Sequence, residues 1–198
     1  LKKYGSDMPY LDQWNGEATS IILPWLESKL SLIDSFWSPH NEHRIGWTRL
    51  WSLAWVVLNE QWDPLLVTTI NSSIHLIVGI FLLITFKGFL HGRFVWLVPV
   101  IIVSVLSLPF AWENTLQAFQ IQVYLSLACS LVAIATLTTS KATSSKGLIG
   151  IVSMFFGIVC QASAFAAPLA ILLVRNLNAL RVKTWRKDDI IVTIICSL

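Results

Sequence analysis

Two histidines, a glutamate and an arginine crowd into "PHNEHR", as His40, Glu42, His43 and Arg44, in a chain with only 13% charged residues. Pro39 precedes them and Asn41 is a candidate N-cap, so the pattern predicts a helix over 41–60 with His40 and His43 about one turn apart. Zinc takes such ligands, but the spacing HExxH is missing and no third ligand set is visible. An anion site is a second reading: Arg44 is a bidentate phosphate donor, and the histidines would assist at a helix start, where backbone N–H groups favour negative charge. The same groups would also serve as an ion-pair anchor for a surface helix. The residues alone leave these two readings open.

Two further stretches carry polar chemistry. In "GSDMPYLDQW", Gly5 and Pro9 oppose regular helix, and Asp7 and Asp12 present carboxylates. Such groups accept a proton from a hydroxyl nucleophile or hold a divalent cation such as magnesium or manganese. They are equally read as solvated loop aspartates, with Asp12 capping a turn. In "FAWENTLQAFQIQ", Glu113 and Asn114 lead into a run where Gln117 and Gln120, three apart, share a helix face and Gln122 points elsewhere. Asn71, Ser72 and His75 form a similar stripe in an earlier apolar run. Polar groups in a span are costly without partners or water, and one use is to join helices by hydrogen bonds. Three polar edges toward one side of the membrane suggest one cavity opening there.

The elements that must position these groups are membrane helices. Of 198 residues, 55% are hydrophobic and ten are tryptophan, whereas soluble domains carry about 25% charged residues. Runs at 64–86, 94–109, 116–139 and 148–174 are nearly free of charge, and about 20 apolar residues span a bilayer. The alternation of a membrane β-barrel is absent. The expected fold is an all-α polytopic transmembrane bundle.

Charge sets its direction. Nine of the fourteen basic residues fall in three segments between apolar runs, near 87–93, 141–146 and 175–187, while residues 1–63 hold eight acids. Basic loops stay cytoplasmic, so residues 1–63 are expected to form a first extracytoplasmic loop, followed by a membrane module over 64–198. Within that loop, 16–31 and 41–60 read as helices lying along the membrane surface, with Trp47, Trp51, Trp55 and Trp62 at headgroup level. The 148–174 run would leave the basic segment after it outside if it crossed once. Its interruption "CQASAFAAP" predicts two short helices meeting near Gln161–Ala164, which returns the chain inside; broken helices are tolerated where they line a protein cavity.

The chain opens at "LKKYGSDM" and stops inside an apolar segment, so helices are expected beyond both ends. Cys129, Cys160 and Cys196 lie in apolar runs and read as small buried hydrophobes. The net charge of +3 follows the membrane and makes no case for nucleic acid. There is no GxSxG, Walker loop, dinucleotide glycine pattern or CxxC.

In order, the acidic "GSDMPYLDQW", two surface helices, the "ENTLQAFQIQ" loop and the paired short helices around "CQASAFAAP" resemble the GT-C superfamily of integral membrane glycosyltransferases. "PHNEHRI" with "FQIQ" is similar to a subset of bacterial members. The resemblance covers essentially the whole chain, as the N-terminal part of the usual membrane module, and rests on the order of features more than on any one motif. It implies transfer of a sugar from a polyprenyl-phosphate donor to a lipid or glycan acceptor on the extracytoplasmic face of a bacterial inner membrane. It implies Asp7 as the base for the acceptor hydroxyl, with Asp12 second; Glu113 supporting acceptor or metal; and His40, His43 and Arg44 near the donor phosphate. Glu42 belongs to the same cluster, and the polar edges themselves put Gln117 and Gln120 along the expected substrate cavity. One departure is plain: the family's adjacent acid pair is absent, since Asp7 and Asp12 are five apart. A transporter or flippase for lipid-linked or small polar substrates would use the same cavity without covalent chemistry.

Overall fold

A computed structural model describes residues 5–41, 43–86, 92, 95–107, 116–183 and 187–197. It is about 80% helical with almost no strand. The chain begins with α1 (Trp14–Ile22), wound in wide π-type turns and continued by one α-helical turn, Leu23–Leu26. Next come α2 (Leu32–Trp37), the two-residue strands β1 (Pro39–His40) and β2 (His43–Arg44), α3 (Gly46–Asn59), α4 (Pro64–Phe86) and α5 (Leu97–Leu106). A 3-10 turn, Ala118–Gln120, leads into α6 (Ile121–Leu137), followed by α7 (Ser145–Cys160). A second 3-10 turn, Ala162–Phe165, leads into α8 (Ala166–Val182), and α9 (Lys187–Ser197) follows.

Among the described residues, three helical stretches are long and apolar enough to cross a membrane: Pro64–Phe86, Ala118–Leu137 and Ala162–Val182. Two helix starts follow from local chemistry. Asp63 caps α4 by accepting the Leu66 N–H at 2.8 Å, with Pro64 as the first helical residue. Ser144 caps α7 by accepting the Gly147 N–H at 3.1 Å. The helices turn large apolar side chains outward, among them Leu76 and Ile84 on α4, Val103 on α5, Val152 on α7 and Leu169 on α8. Water penalises faces of this kind and lipid does not.

The expected break in the 148–174 run is present. Gln161 is extended (φ −161°, ψ 141°) and separates α7 from the 3-10 turn. The exposed backbone groups find partners: Gln161 N–H donates to Gly157 O, and Ala164 N–H donates to Gln161 O. Pro168 sits in the first turn of α8, where a proline removes no helical hydrogen bond.

Residues 1–63 differ from expectation in two respects. The helix expected over 41–60 begins only at Gly46, and residues 39–44 form an antiparallel hairpin pairing Pro39 with Arg44 and His40 with His43. Asn41 is therefore no N-cap; it takes a left-handed turn conformation, φ 51°, which asparagine tolerates better than most residues. Helix α2 was not anticipated; it ends against the start of α3, where the Phe36 carbonyl closes on Gly46.

The chain divides into two compact units, Leu1–Trp37 with Gly46–Tyr124, and Ser38–Ile45 with Leu125–Leu198. In the first, α1 packs on α3 and α2 packs on α3, around Ile21, Ile22, Leu53 and Val56. In the second, α9 packs on α8 and the hairpin on α7, around Ala133, Leu137, Met154, Ile171 and Val192.

Candidate functional site

The opening segment sends its carboxylates in two directions. Asp7 lies exposed in a bend, where the Ser6 hydroxyl accepts the Met8 N–H at 3.1 Å. Asp12 is exposed at the start of the helical segment that becomes α1. Between them Leu11 is held at φ 45°, a conformation that costs a residue with a branched side chain about 1 kcal/mol or more. One turn beyond Asp12, Glu17 points inward and is 1% exposed. Its carboxylate accepts from the Gln13 amide at 3.0 Å and from the Ser52 hydroxyl on α3. Burial pushes its pKa from 4.5 up to about 7, and the two hydrogen bonds offset only part of that.

Arg49 on α3 lies in the same interior. Its Nε donates to Gly16 O at 3.0 Å and its Nη1 to Ser35 O at 2.7 Å. Burial lowers its pKa. This one side chain ties α1 and α2 to α3, because each end of its planar fork finds a fixed acceptor. Sequence reading passed over Gln13, Glu17, Arg49 and Ser52. The available signal was the pairing of Gln13 with Glu17 four residues apart and a lone arginine among the apolar residues of 45–58.

The polar stripes expected to line a cavity are used largely to join helices. Asn71 accepts from Trp51 Nε1 at 3.1 Å and donates to Ala118 O at 2.8 Å. His75 stacks on Tyr124 with ring centres 4.6 Å apart, and Ser72 donates to Thr68 O within its own helix. Gln117 is buried and extended ahead of the 3-10 turn, while Gln120 ends that turn and is half-buried. They do not share a face of one helix as expected, since the helix starts after them. Gln122, expected to point elsewhere, accepts from Thr48 at 2.9 Å in the interior.

In the hairpin, His40 and His43 are cross-strand partners rather than neighbours on a helix. The register puts His40 and Arg44 on opposite faces; His40 is half-buried and Arg44 exposed. The helix-start geometry expected for an anion at this motif is absent. Glu42 and Glu113 lie outside the described residues, as does Asn114. Asp7, Asp12, Gln117 and Gln120 belong to the first unit, and His40, His43 and Arg44 to the second. Among the described residues, no group of three or more His, Cys, Asp and Glu is arranged to hold a metal ion.

Comparison with protein-family models, curated proteins and solved structures finds no match to this chain.

Proposed function

We propose that the chain is the membrane module of a glycosyltransferase that moves a sugar from a polyprenyl-phosphate donor to an acceptor at the extracytoplasmic face of a bacterial inner membrane. The observation that carries the reading is the opening segment. An exposed carboxylate, Asp7, stands in a non-helical bend beside a strained residue, Leu11, and directly ahead of the helical outer segment. Backbone strain of this kind concentrates at functional sites. An exposed carboxylate there can meet a hydroxyl acceptor, which a buried one such as Glu17 cannot.

In the reaction, the acceptor oxygen attacks the anomeric carbon while the bond from that carbon to the phosphate oxygen breaks. Asp7 takes the hydroxyl proton, and polyprenyl phosphate departs as an anion, which a cationic side chain at the site would stabilise. A single displacement inverts the anomeric centre. The resemblance to GT-C enzymes supports these roles and the extracytoplasmic orientation, as does the gathering of nine of the fourteen basic residues near 87–93, 141–146 and 175–187.

The test is transfer from a labelled polyprenyl-phosphate sugar by the purified protein in liposomes. Asp7→Asn is expected to lower the rate by about 100-fold or more, with Asp12→Asn doing less. Unaltered transfer in Asp7→Asn removes the base assignment.

One observation favours a second reading, a carrier for lipid-linked substrates. A cavity of about 300 Å³ between α4 and α5 has Ser72, His75 and Ser107 among otherwise apolar residues such as Leu76, Leu83 and Ile102. A lipid could lodge there without covalent change. The same assay separates the two, because an enzyme releases polyprenyl phosphate and a carrier relocates the donor intact.

A further inference from the structure

The second unit contains a polar cavity of about 580 Å³ that the function above does not use. It lies where α6 ends, α7 begins, α8 ends and α9 begins, so it belongs to the basic side of the chain. Its floor is Arg175. The Nε of that residue donates to Leu137 O at 2.7 Å and its Nη2 to Ser140 O at 2.6 Å. Its Nη1 meets Asp188 and Asp189, both at 2.7 Å. The other oxygen of Asp188 accepts the Ala142 N–H at 2.8 Å. The guanidinium is thus committed on every side, and so is the Asp188 carboxylate. This floor fixes the shape of the cavity; its two carboxylates outnumber its one guanidinium, so the attraction for an anion falls to the lysines around it.

The uncommitted groups stand around it. Lys141 and Lys187 line the cavity, are exposed, and have no acidic partner among the described residues. The hydroxyls of Ser140 and Thr143 also line it, and no hydrogen bond from either is present among the described residues. Thr138 differs, since its hydroxyl is spent on Ile134 O. Two ammonium groups and two hydroxyls are four available donor groups, of the kind a phosphoryl oxygen accepts from. Ile191 on α9 adds an apolar wall. The volume suits a small ligand.

We propose that this cavity binds a phosphoryl group, held by Lys141 and Lys187 over the Arg175 floor. The chemistry admits two sources, the headgroup of an anionic phospholipid and a free phosphate. Ile191 and the neighbouring apolar helices suit the lipid, and basic pockets on the cytoplasmic side of membrane helices commonly take anionic headgroups.

Native mass spectrometry of the purified full chain tests this with phosphatidylglycerol in one arm and inorganic phosphate in the other, phosphatidylcholine serving as blank. Phosphatidylglycerol is expected to bind, and Lys141→Gln with Lys187→Gln to weaken it about 30-fold. The control pair Lys146→Gln with Lys183→Gln removes the same charge from residues that do not line the cavity, and is expected to change affinity by less than about threefold. Binding of inorganic phosphate with the same dependence on Lys141 and Lys187 also upholds the site and assigns it to the free anion. Equal weakening by both pairs would reduce the effect to the general field of the basic loops and overturn the proposal. Absence of binding in both arms overturns it as well. A micelle melt of each variant against the parent identifies any loss caused by unfolding, and single substitutions then replace a double that melts early.

Discussion

Glu17 in the first unit and Asp188 with Asp189 in the second are acids in poorly hydrated places, and they are kept there by different means. Glu17 rests on an amide and a hydroxyl, both neutral. Asp188 and Asp189 face a guanidinium whose remaining donors are filled by carbonyls. A neutral donor lowers the cost of a buried carboxylate without cancelling its charge, so Glu17 moves toward the protonated form. An opposite charge cancels it but creates dependence, because removing either partner strands the other. The first arrangement responds to pH. The second is a fixed joint.

The largest effect should come from breaking that joint. Arg175→Ala leaves Asp188 and Asp189 without their cation and should cost about 3–5 kcal/mol, read as a lower melting temperature in micelles. Arg175→Met combined with Asp188→Asn and Asp189→Asn should recover most of the loss, since no lone charge remains. A loss of under about 1 kcal/mol in Arg175→Ala would mean that the pair is wet and the contrast with Glu17 false.

Glu17→Gln sharpens the comparison from the other side. The folded-state pKa of about 7 lies above the ordinary 4.5, so the folded chain keeps a proton that the unfolded chain has already released. The stability this group contributes is fully present below about pH 4.5, drains as pH rises, and is gone above about pH 7. The total is about 3 kcal/mol. Near pH 5 the variant should melt with the parent, and at pH 8 it should melt higher. Parallel melting curves across that interval would show that Glu17 does not titrate there.

Each unit also has a glycine at which a Cβ would meet backbone. A Cβ on Gly147 would press into the carbonyls of Lys141 and Ala142, both backbone. On Gly46 it would come within 2.5 Å of the Phe36 carbonyl and 2.6 Å of the Phe36 ring. Either change to alanine should cost about 2 kcal/mol, with Gly147→Ala the worse, because two backbone carbonyls oppose its Cβ against one at Gly46. Reversal of that order in thermal melts would point to a looser turn at 141–147.

Periodicity and charge made much of the fold legible in the sequence. A charge-free run opened by Asp63 and Pro64 marked α4, and in the 148–174 run the conflict between one crossing and the basic segment after it marked the break at Gln161. The hairpin at 39–44 was not legible, because Pro39 and Asn41 signal a helix start and a tight turn equally well. The interior acids and arginines were missed for a related reason. A charged residue in sequence shows no sign of whether it is solvated, and Glu17 differs from the exposed Asp12 only in the face it falls on once α1 is placed on α3. Asp7 and Asp12 were noticed for their type and Glu17 overlooked, although Gln13 four residues before it marks the side that turns inward.

The smallest effect should come from the pair Lys29–Glu27, whose length of 2.9 Å rivals the bonds of Arg175. Distance alone would rank the two alike. Their side chains are 75% and 56% exposed, against 6% for Arg175 and 6% for Asp189. Water screens the exposed pair, and holding two long side chains together costs entropy of similar size. Lys29→Gln should therefore shift stability by no more than about 0.5 kcal/mol, and salt should remove even that. If Lys29→Gln instead cost as much as Arg175→Ala, burial would not be what separates the two pairs, and the account of Glu17, which depends on burial in the same way, would fall with it.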